Sequence, residues 1–526
     1  MQKAINASVC LITLIVSIPI ISVLSIWIFP NQDIWNYFLE NLLLDLLVSS
    51  GILLIFVAIG VALLGTLLAY LVVFVEFPMR KFFSISLFLP FAIPSYVLGF
   101  IYLGIFDYSG YVQTFFREYF NITSFNFDLR SNSIPIILTF ILAFYPYVYI
   151  IARASFMRQK ISIIENARLL TKSNLAVFFK VAMPLIRPAI VAGVLVALME
   201  TLADFGLVSL FNYNAWTVAI YSAWYDFRSI EVAAQLSSLL IIVIFFLIYL
   251  EKFARNKGKH YSYAITNRRI YHPKGWRKYL IMFIPLFVFI FALAIPILQL
   301  IVWSTEVIFE ELNYQYLNLL FSSFILIFIS VSIILLLSLL LVLASNNRYL
   351  NFIIKFTTIG YALPGSIMVI GILFAITNIS NINQYFGGAS INHLFFSSIS
   401  LLIFAYVARF ITISYRSINS VKKQIKPVFV ENAKLLNGKK SNIIFSIYIP
   451  MLKSGLLAGA LLVSVDILKE LPATYILRSI GWDTLAIKTF ELSAEGLFQR
   501  ASVPSLIMVL FGFFIIFLLQ KFDYKY

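Results

Sequence analysis

Apolar runs long enough to cross a membrane recur twelve times along the chain, separated by short polar stretches. They fall at 7–29, 50–76, 82–106, 134–156, 183–210 and 232–250, then at 279–303, 319–345, 352–377, 394–415, 448–468 and 501–520. About 20 apolar residues span a hydrocarbon core as a helix, whereas a barrel strand needs only about ten alternating ones. The lengths therefore predict an all-α polytopic membrane protein with about 12 transmembrane helices. Prolines inside these runs (Pro90, Pro94, Pro146, Pro188 and Pro364) predict local breaks, which membrane helices tolerate. Residues 1–29 carry Lys3 and an apolar run but no small-x-small cleavage signal, and read as a retained first membrane helix.

The polar positions set the orientation. The stretch 77–81 carries Arg80 and Lys81; 157–182 carries Arg158, Lys160, Arg168, Lys172 and Lys180 against Glu165. The linker 251–278 is densely basic against Glu251 alone, and 416–447 is similar. Alternate loops are acidic, with Asp33, Glu40 and Asp45 in the first and Glu306, Glu310 and Glu311 in the seventh. Cationic loops stay in the cytoplasm, so both termini are expected there. This pattern decides what composition means. A mean hydropathy of +0.95 with 12% charged residues excludes a soluble domain. The net charge of +16 is accounted for by cytoplasmic loops, so no nucleic-acid partner is implied. One cysteine, Cys10, excludes an internal disulfide, and His260, His272 and His393 show no metal-ligand spacing.

The chain is written twice. "ENARLLTKSNLAVFFKVAMPLIRPAI" at 165–190 returns as "ENAKLLNGKKSNIIFSIYIPMLKSGL" at 431–456, with 431 − 165 = 266 and, for the prolines, 450 − 184 = 266. The linker thus separates two six-helix halves, 1–250 and 279–526, whose even span count makes them a parallel repeat. Each copy predicts a short cytoplasmic helix, and the pair predicts two matching docking sites for a twofold partner. An acidic constellation recurs at the same offset: Glu200 and Asp204, then Asp466 and Glu470. Residues four apart share a helix face. On a straight helix counted from Pro184 they lie about 24 and 30 Å from the cytoplasmic entry, in the outer part of the bilayer. Carboxylates there either line a pathway, as a ring of hard oxygens suited to a hard cation, or cap helix ends and pair with Lys469 and Arg478. Gly455-x₃-Gly459 and Ala189-x₃-Gly193 predict close helix packing between the halves. "NGKKS" at 437–441 is no nucleotide loop, since Ala433 stands where the first glycine belongs.

The repeated loop resembles the EAA loop of binding-protein-dependent ABC importer permeases (MetI-like, type I importers). "IPSYVLGF" (93–100), "DYSGYVQTFFRE" (107–118), "METLADFGLVSLF" (199–211), "YALPGSIMVIG" (361–371) and "KELPATYILRSIGWDTLAIKTFE" (469–491) are similar, in order, to the fused two-copy permeases of ferric-iron importers. The chain departs from the pattern at Asn166 and Asn432, where Ala is usual, and at Thr171 and Asn437, where Gly is usual; Gly438 follows one place later. The resemblance implies ATPase-coupling loops at 157–184 and 419–450. Their residues would be Glu165, Asn166, Ala167, Leu169, Leu170 and Pro184 in the first, and Glu431, Asn432, Ala433, Leu435, Leu436, Gly438 and Pro450 in the second. It also implies two copies of a cytoplasmic ATPase, a periplasmic substrate-binding protein, a bacterial inner membrane, Fe3+ as cargo, ATP bound by the partner alone, and no enzymatic reaction here. A related importer for thiamine, a polyamine or a phosphonate stays open. So does an ion-coupled 6+6 secondary transporter, although "FVEFPMRKFF" (74–83) lacks the Gly…Asp-Arg…Gly loop of its commonest fold. A membrane-embedded enzyme would need a His or Asp constellation at one face, and the sequence has none.

Overall fold

The structure is a computed structural model describing all residues except 1, 29, 121–127, 160, 171–173, 258–270, 346, 359, 386–398, 427, 430, 433–443, 480 and 524–526. Among the described residues the regular elements are helical, apart from one isolated bridge joining Val75 to Tyr271. The long helices of the first half are α1 (Gln2–Ser25), α2 (Leu43–Phe74), α3 (Ser95–Phe106), α4 (Ile134–Met157), α5 (Arg187–Ala203) and α6 (Ile230–Lys257). Those of the second are α7 (Arg277–Glu311), α8 (Tyr314–Ala344), α9 (Gly365–Tyr385), α10 (Ile399–Lys422), α11 (Ile449–Leu468) and α12 (Phe498–Asp523).

Among the described residues ten helices are long and apolar enough to cross a membrane as single spans, and the total is 12 when each of two bent pairs counts as one span. Spans three and five are therefore not the continuous helices the apolar runs suggest. Arg80–Ala92 meets the segment starting at Ser95 at 93°, and Phe178–Leu185 meets α5 at 73°. The first bend lies at Ile93-Pro94: Ile93 is extended (φ −87°, ψ 119°), as the residue before a proline must be when the ring crowds the helical conformation. Pro188 sits in the first turn of α5, where its missing N–H costs nothing. The ninth span starts later than expected. Residues 348–357 form a separate helix exposing Tyr349, Phe352 and Phe356, and α9 begins only after Pro364.

Three π-helical segments have one cause. Phe178–Ala182, Ile290–Ala294 and Ile444–Tyr448 each end two residues before a proline: Pro184, Pro296 and Pro450. A proline donates no hydrogen bond and its ring collides with the carbonyl four residues back, so the preceding turn widens. The first and third segments are 266 residues apart (444 − 178), so the repeat extends to backbone irregularity.

The first helix of each half crosses onto the third helix of the other. On α1, Pro19 presents its backbone to Gly371 of α9, and Thr13 Oγ1 lies 2.7 Å from Thr357 Oγ1. On α7, Trp303 stacks on Phe100 of α3 with centroids 6.4 Å apart, against Gly104. A Cβ at Gly371 would sit 2.3 Å from the Pro19 carbonyl oxygen, whereas one at Gly51 meets nothing within 4 Å. Gly371→Ala is accordingly expected to cost about 1–3 kcal/mol through overpacking. Gly51→Ala should be neutral or stabilising through helix propensity. Melting of the two variants in detergent checks the contrast.

The small-residue motifs pack within each half and not between halves. Gly193 lies against Val148 of α4, and Gly455 and Gly459 against Ile418 and Ser414 of α10.

Candidate functional site: a charged cavity between the two halves

A cavity of about 90 Å³ lies where the two halves meet. Its walls come from the start of α3 and the C-terminal ends of α5 and α11, with α4 and α10 behind them. All four acids singled out in the sequence line it: Glu200, Asp204, Asp466 and Glu470. The chain after each pair continues as a short, largely buried helix, Gly206–Leu210 or Pro472–Leu477. Sequence reasoning could not see that the chain stays inside the protein there.

Each acid has its own partner. Asp204 accepts hydrogen bonds from Ser95 Oγ and, at 2.8 Å, from Leu207 N, capping the helix Gly206–Leu210. Glu470, 4% exposed, occupies the same place in the second half. It accepts from Ala473 N (3.0 Å), Thr474 N (2.9 Å) and Thr474 Oγ1 (2.6 Å), and pairs with Arg409 Nη1 at 2.7 Å. Lys469 Nζ lies 2.9 Å from Asp466 Oδ1. Glu200 accepts a 3.1 Å hydrogen bond from Tyr361 Oη, which reaches across from the other half. Among the described residues no group of three or more His, Cys, Asp and Glu is arranged to hold a metal. Pairing with Lys469 is found for Asp466, but Arg478 faces Glu491 and Asp483 instead.

The halves differ in charge where their backbones correspond. Arg409 and Lys469 stand 266 residues after Ala143 and Ala203, so both cavity cations belong to the second half. The exchange is steric as well as electrostatic. Ser95 and Gly365 each follow a proline at the start of the third helix of their half. A Cβ at Gly365 would fall 2.4 Å from Glu470 Oε1 and 2.8 Å from Arg409 Nη1, so the glycine leaves room for the guanidinium. Acid–base pairs fill the second half's share of the wall, and hydroxyls and backbone N–H groups hold the first half's carboxylates. Sequence reasoning missed Arg409; its signal was a lone arginine within an apolar span, which is a functional or pairing site by default.

An aromatic cluster joins the halves beside the cavity. Phe205 lies 6.2 Å from Tyr475 and 5.7 Å from Phe490, and Tyr221 lies 5.9 Å from Tyr475.

The first repeated loop contains the helix Ile161–Leu170. Glu165 lies more than one turn inside it, so it does not cap the helix start. Glu165 and Asn166 are exposed, Ala167 is buried, and Leu169 and Leu170 are 85% and 90% exposed. Pro184 is half-buried beyond the π segment. In the second loop Glu431 and Asn432 are helical and exposed, and Pro450 is exposed in the first turn of α11. Ala433, Leu435, Leu436 and Gly438 lie outside the described residues, as does Thr171 of the first loop.

Residues 61–252 match the family described as binding-protein-dependent transport system inner membrane component. The chain is 24% identical over 491 residues to the Fe(3+)-transport system permease protein FbpB 2 of Haemophilus influenzae, covering 91% of this chain and 90% of that one. A ferric transport system permease protein, FbpB of Actinobacillus pleuropneumoniae, is 32% identical over 168 residues, covering 31% of this chain and 23% of that one. A probable sulfate transport system permease protein, cysT of Chlorella vulgaris, is 24% identical over 234 residues, 42% of this chain and 85% of that one. Residues 61–252 thus carry a domain similar to the binding-protein-dependent transport system inner membrane components, and most of the chain is similar to an Fe(3+)-transport permease.

Proposed function

We propose that the chain is the translocation subunit of an ATP-driven importer that passes ferric iron from a periplasmic binding protein to the cytoplasm. The observation that carries this reading is the similarity to an Fe(3+)-transport permease along 91% of the chain. Four carboxylates against two cations around the cavity support a cationic cargo. Residues 1–250 and 279–526 act as two permease repeats joined by a basic cytoplasmic linker at 251–278, with both termini cytoplasmic in a bacterial inner membrane. Two ATPase subunits dock, one on Ile161–Leu170 and one on the loop 419–450, and the chain itself binds no nucleotide.

A second reading, sulfate as cargo, is favoured by the sulfate permease relatives and by Arg409 and Lys469 in the cavity. It fits less well, because both cations already neutralise carboxylates of their own half. The assembled complex in lipid nanodiscs decides. Ferric-loaded binding protein is expected to raise ATP hydrolysis severalfold over the empty protein, and sulfate is expected to leave it unchanged. Stimulation by sulfate and none by ferric ion would reverse the assignment.

A further inference from the structure

Lys469 is the only lysine on the cavity wall, and its position is unusual for a structural one. It sits at the C-terminal end of α11, and its side chain is 23% exposed. Its ammonium is 2.9 Å from Asp466 Oδ1 and 4.7 Å from the centre of the Phe91 ring, which belongs to the other half. Glu200, also of the other half, lines the same cavity. A cation held by a carboxylate and over an aromatic face has the surroundings of a bound metal or ammonium ligand, but here it is covalently attached. The first half has Ala203 in the corresponding place, so the helix end does not require a lysine. A structural counter-ion for Asp466 alone would have no need to lie over Phe91.

We propose that Lys469 is a tethered counter-ion: in this conformation its ammonium occupies the cation position beside Asp466, in the cavity that Glu200 also lines, and it must withdraw before a cationic cargo can enter. The inference rests on the cargo being a cation. It goes beyond that reading by naming the group that keeps the cavity closed to cations when no cargo is delivered. Removing the ammonium frees the Asp466 carboxylate in a cavity that Glu200 and Tyr361 also line, which leaves hard oxygens suited to a trivalent ion. Keeping it holds the net charge of this corner low, so small cations from either side find no site.

The test measures Tb3+ binding to the assembled complex in nanodiscs, without binding protein or ATP, by tyrosine-sensitised luminescence. Tyr147 and Tyr361 line the same cavity and serve as donors. Lys469→Gln is expected to bind Tb3+ at least tenfold more tightly than wild type. Lys469→Arg should behave as wild type, and adding Asp466→Asn to Lys469→Gln should abolish the gain. Equal binding by wild type and K469Q overturns the proposal, as does a gain that survives D466N. Should K469Q not assemble, Lys469→His assembled at pH 6 keeps the question decidable. An imidazole loses its charge around pH 6.5, so binding should rise between pH 6 and pH 7.5 in K469H relative to wild type, and a flat difference overturns the idea. Because no iron, ATP hydrolysis or binding protein enters the measurement, its outcome is separable from that of the cargo assay.

Discussion

Glu470→Gln is expected to lower the stability of the permease by about 3–5 kcal/mol, the range for removing one partner of a buried ion pair. Substitution keeps the shape of the side chain but turns one of its two acceptor oxygens into an amide donor. It also removes the charge opposite Arg409, whose guanidinium is 2.7 Å away and whose buried Nε has no hydrogen-bond partner among the described residues. The reverse single change, Arg409→Met, should be milder. Glu470 would still accept from Ala473 N, Thr474 N and Thr474 Oγ1, three donors that stabilise a carboxylate without a counter-charge. Combining the two changes removes both charges and should recover most of the loss, because a buried pair replaced by neutral groups of similar volume is often harmless. The melting temperatures of the four proteins in detergent give the coupling energy through a double-mutant cycle. A double variant no better than E470Q would mean that Glu470 acts through its helix cap and not through Arg409.

That result would also separate two kinds of acid that look alike in the sequence. Glu470 and Asp204 each hold the first turn of a short helix, and their place in the repeat follows from that backbone requirement. Glu200 and Asp466, one helical turn earlier, cap nothing; their partners are a tyrosine hydroxyl and a lysine. An offset of 266 residues cannot tell a repeated cap from a repeated site, since both are inherited with the fold. The distinction lies in which donors surround each oxygen: backbone N–H groups three or four residues on cap Asp204 and Glu470, whereas Ser95, Arg409 and Tyr361 come from elements distant in sequence.

Other features divide along the same line. Span number was legible because the length of an apolar run is a local property of the chain. The two sharp bends were only hinted at by Pro94 and Pro188, since a proline in a membrane helix produces either a bend or a gentle distortion depending on what the neighbouring helices accept. Pro146, for example, sits inside the unbroken α4. The glycine motifs were read correctly as close contacts and assigned to the wrong partner. Small residues four apart state that another helix approaches, but they carry nothing about which one. The crossing of α1 onto α9 and of α7 onto α3 left no trace in periodicity, because a lipid-facing and a helix-facing apolar surface have the same composition.

The other large effect is expected at the first repeated loop. Leu169→Glu together with Leu170→Glu should weaken ATPase docking by about 100-fold or more and bring uptake close to zero. Two adjacent leucines at 85% and 90% exposure are an unusual surface on a polar, basic loop, and they end a helix whose Ala167 faces the protein body. A leucine side chain taken out of water contributes about 1.5–3 kcal/mol. Two of them buried in a partner's groove therefore account for roughly two to four orders of magnitude in affinity. Carboxylates in their place would carry charge into that groove. The permease itself should be unaffected, because neither side chain is packed against it; an unchanged melting temperature in detergent is the required control. Glu165→Lys lies on the same short helix and should show a smaller loss, since an exposed charge contributes only about 1 kcal/mol or less. The repeat predicts the same outcome for L435E combined with L436E. Copurification of the ATPase from membranes, followed by titration of the two purified parts, reads the docking step directly. Full ATPase binding by the L169E and L170E double variant, with uptake intact, would remove this helix from the coupling interface and leave its exposed leucines to contact lipid.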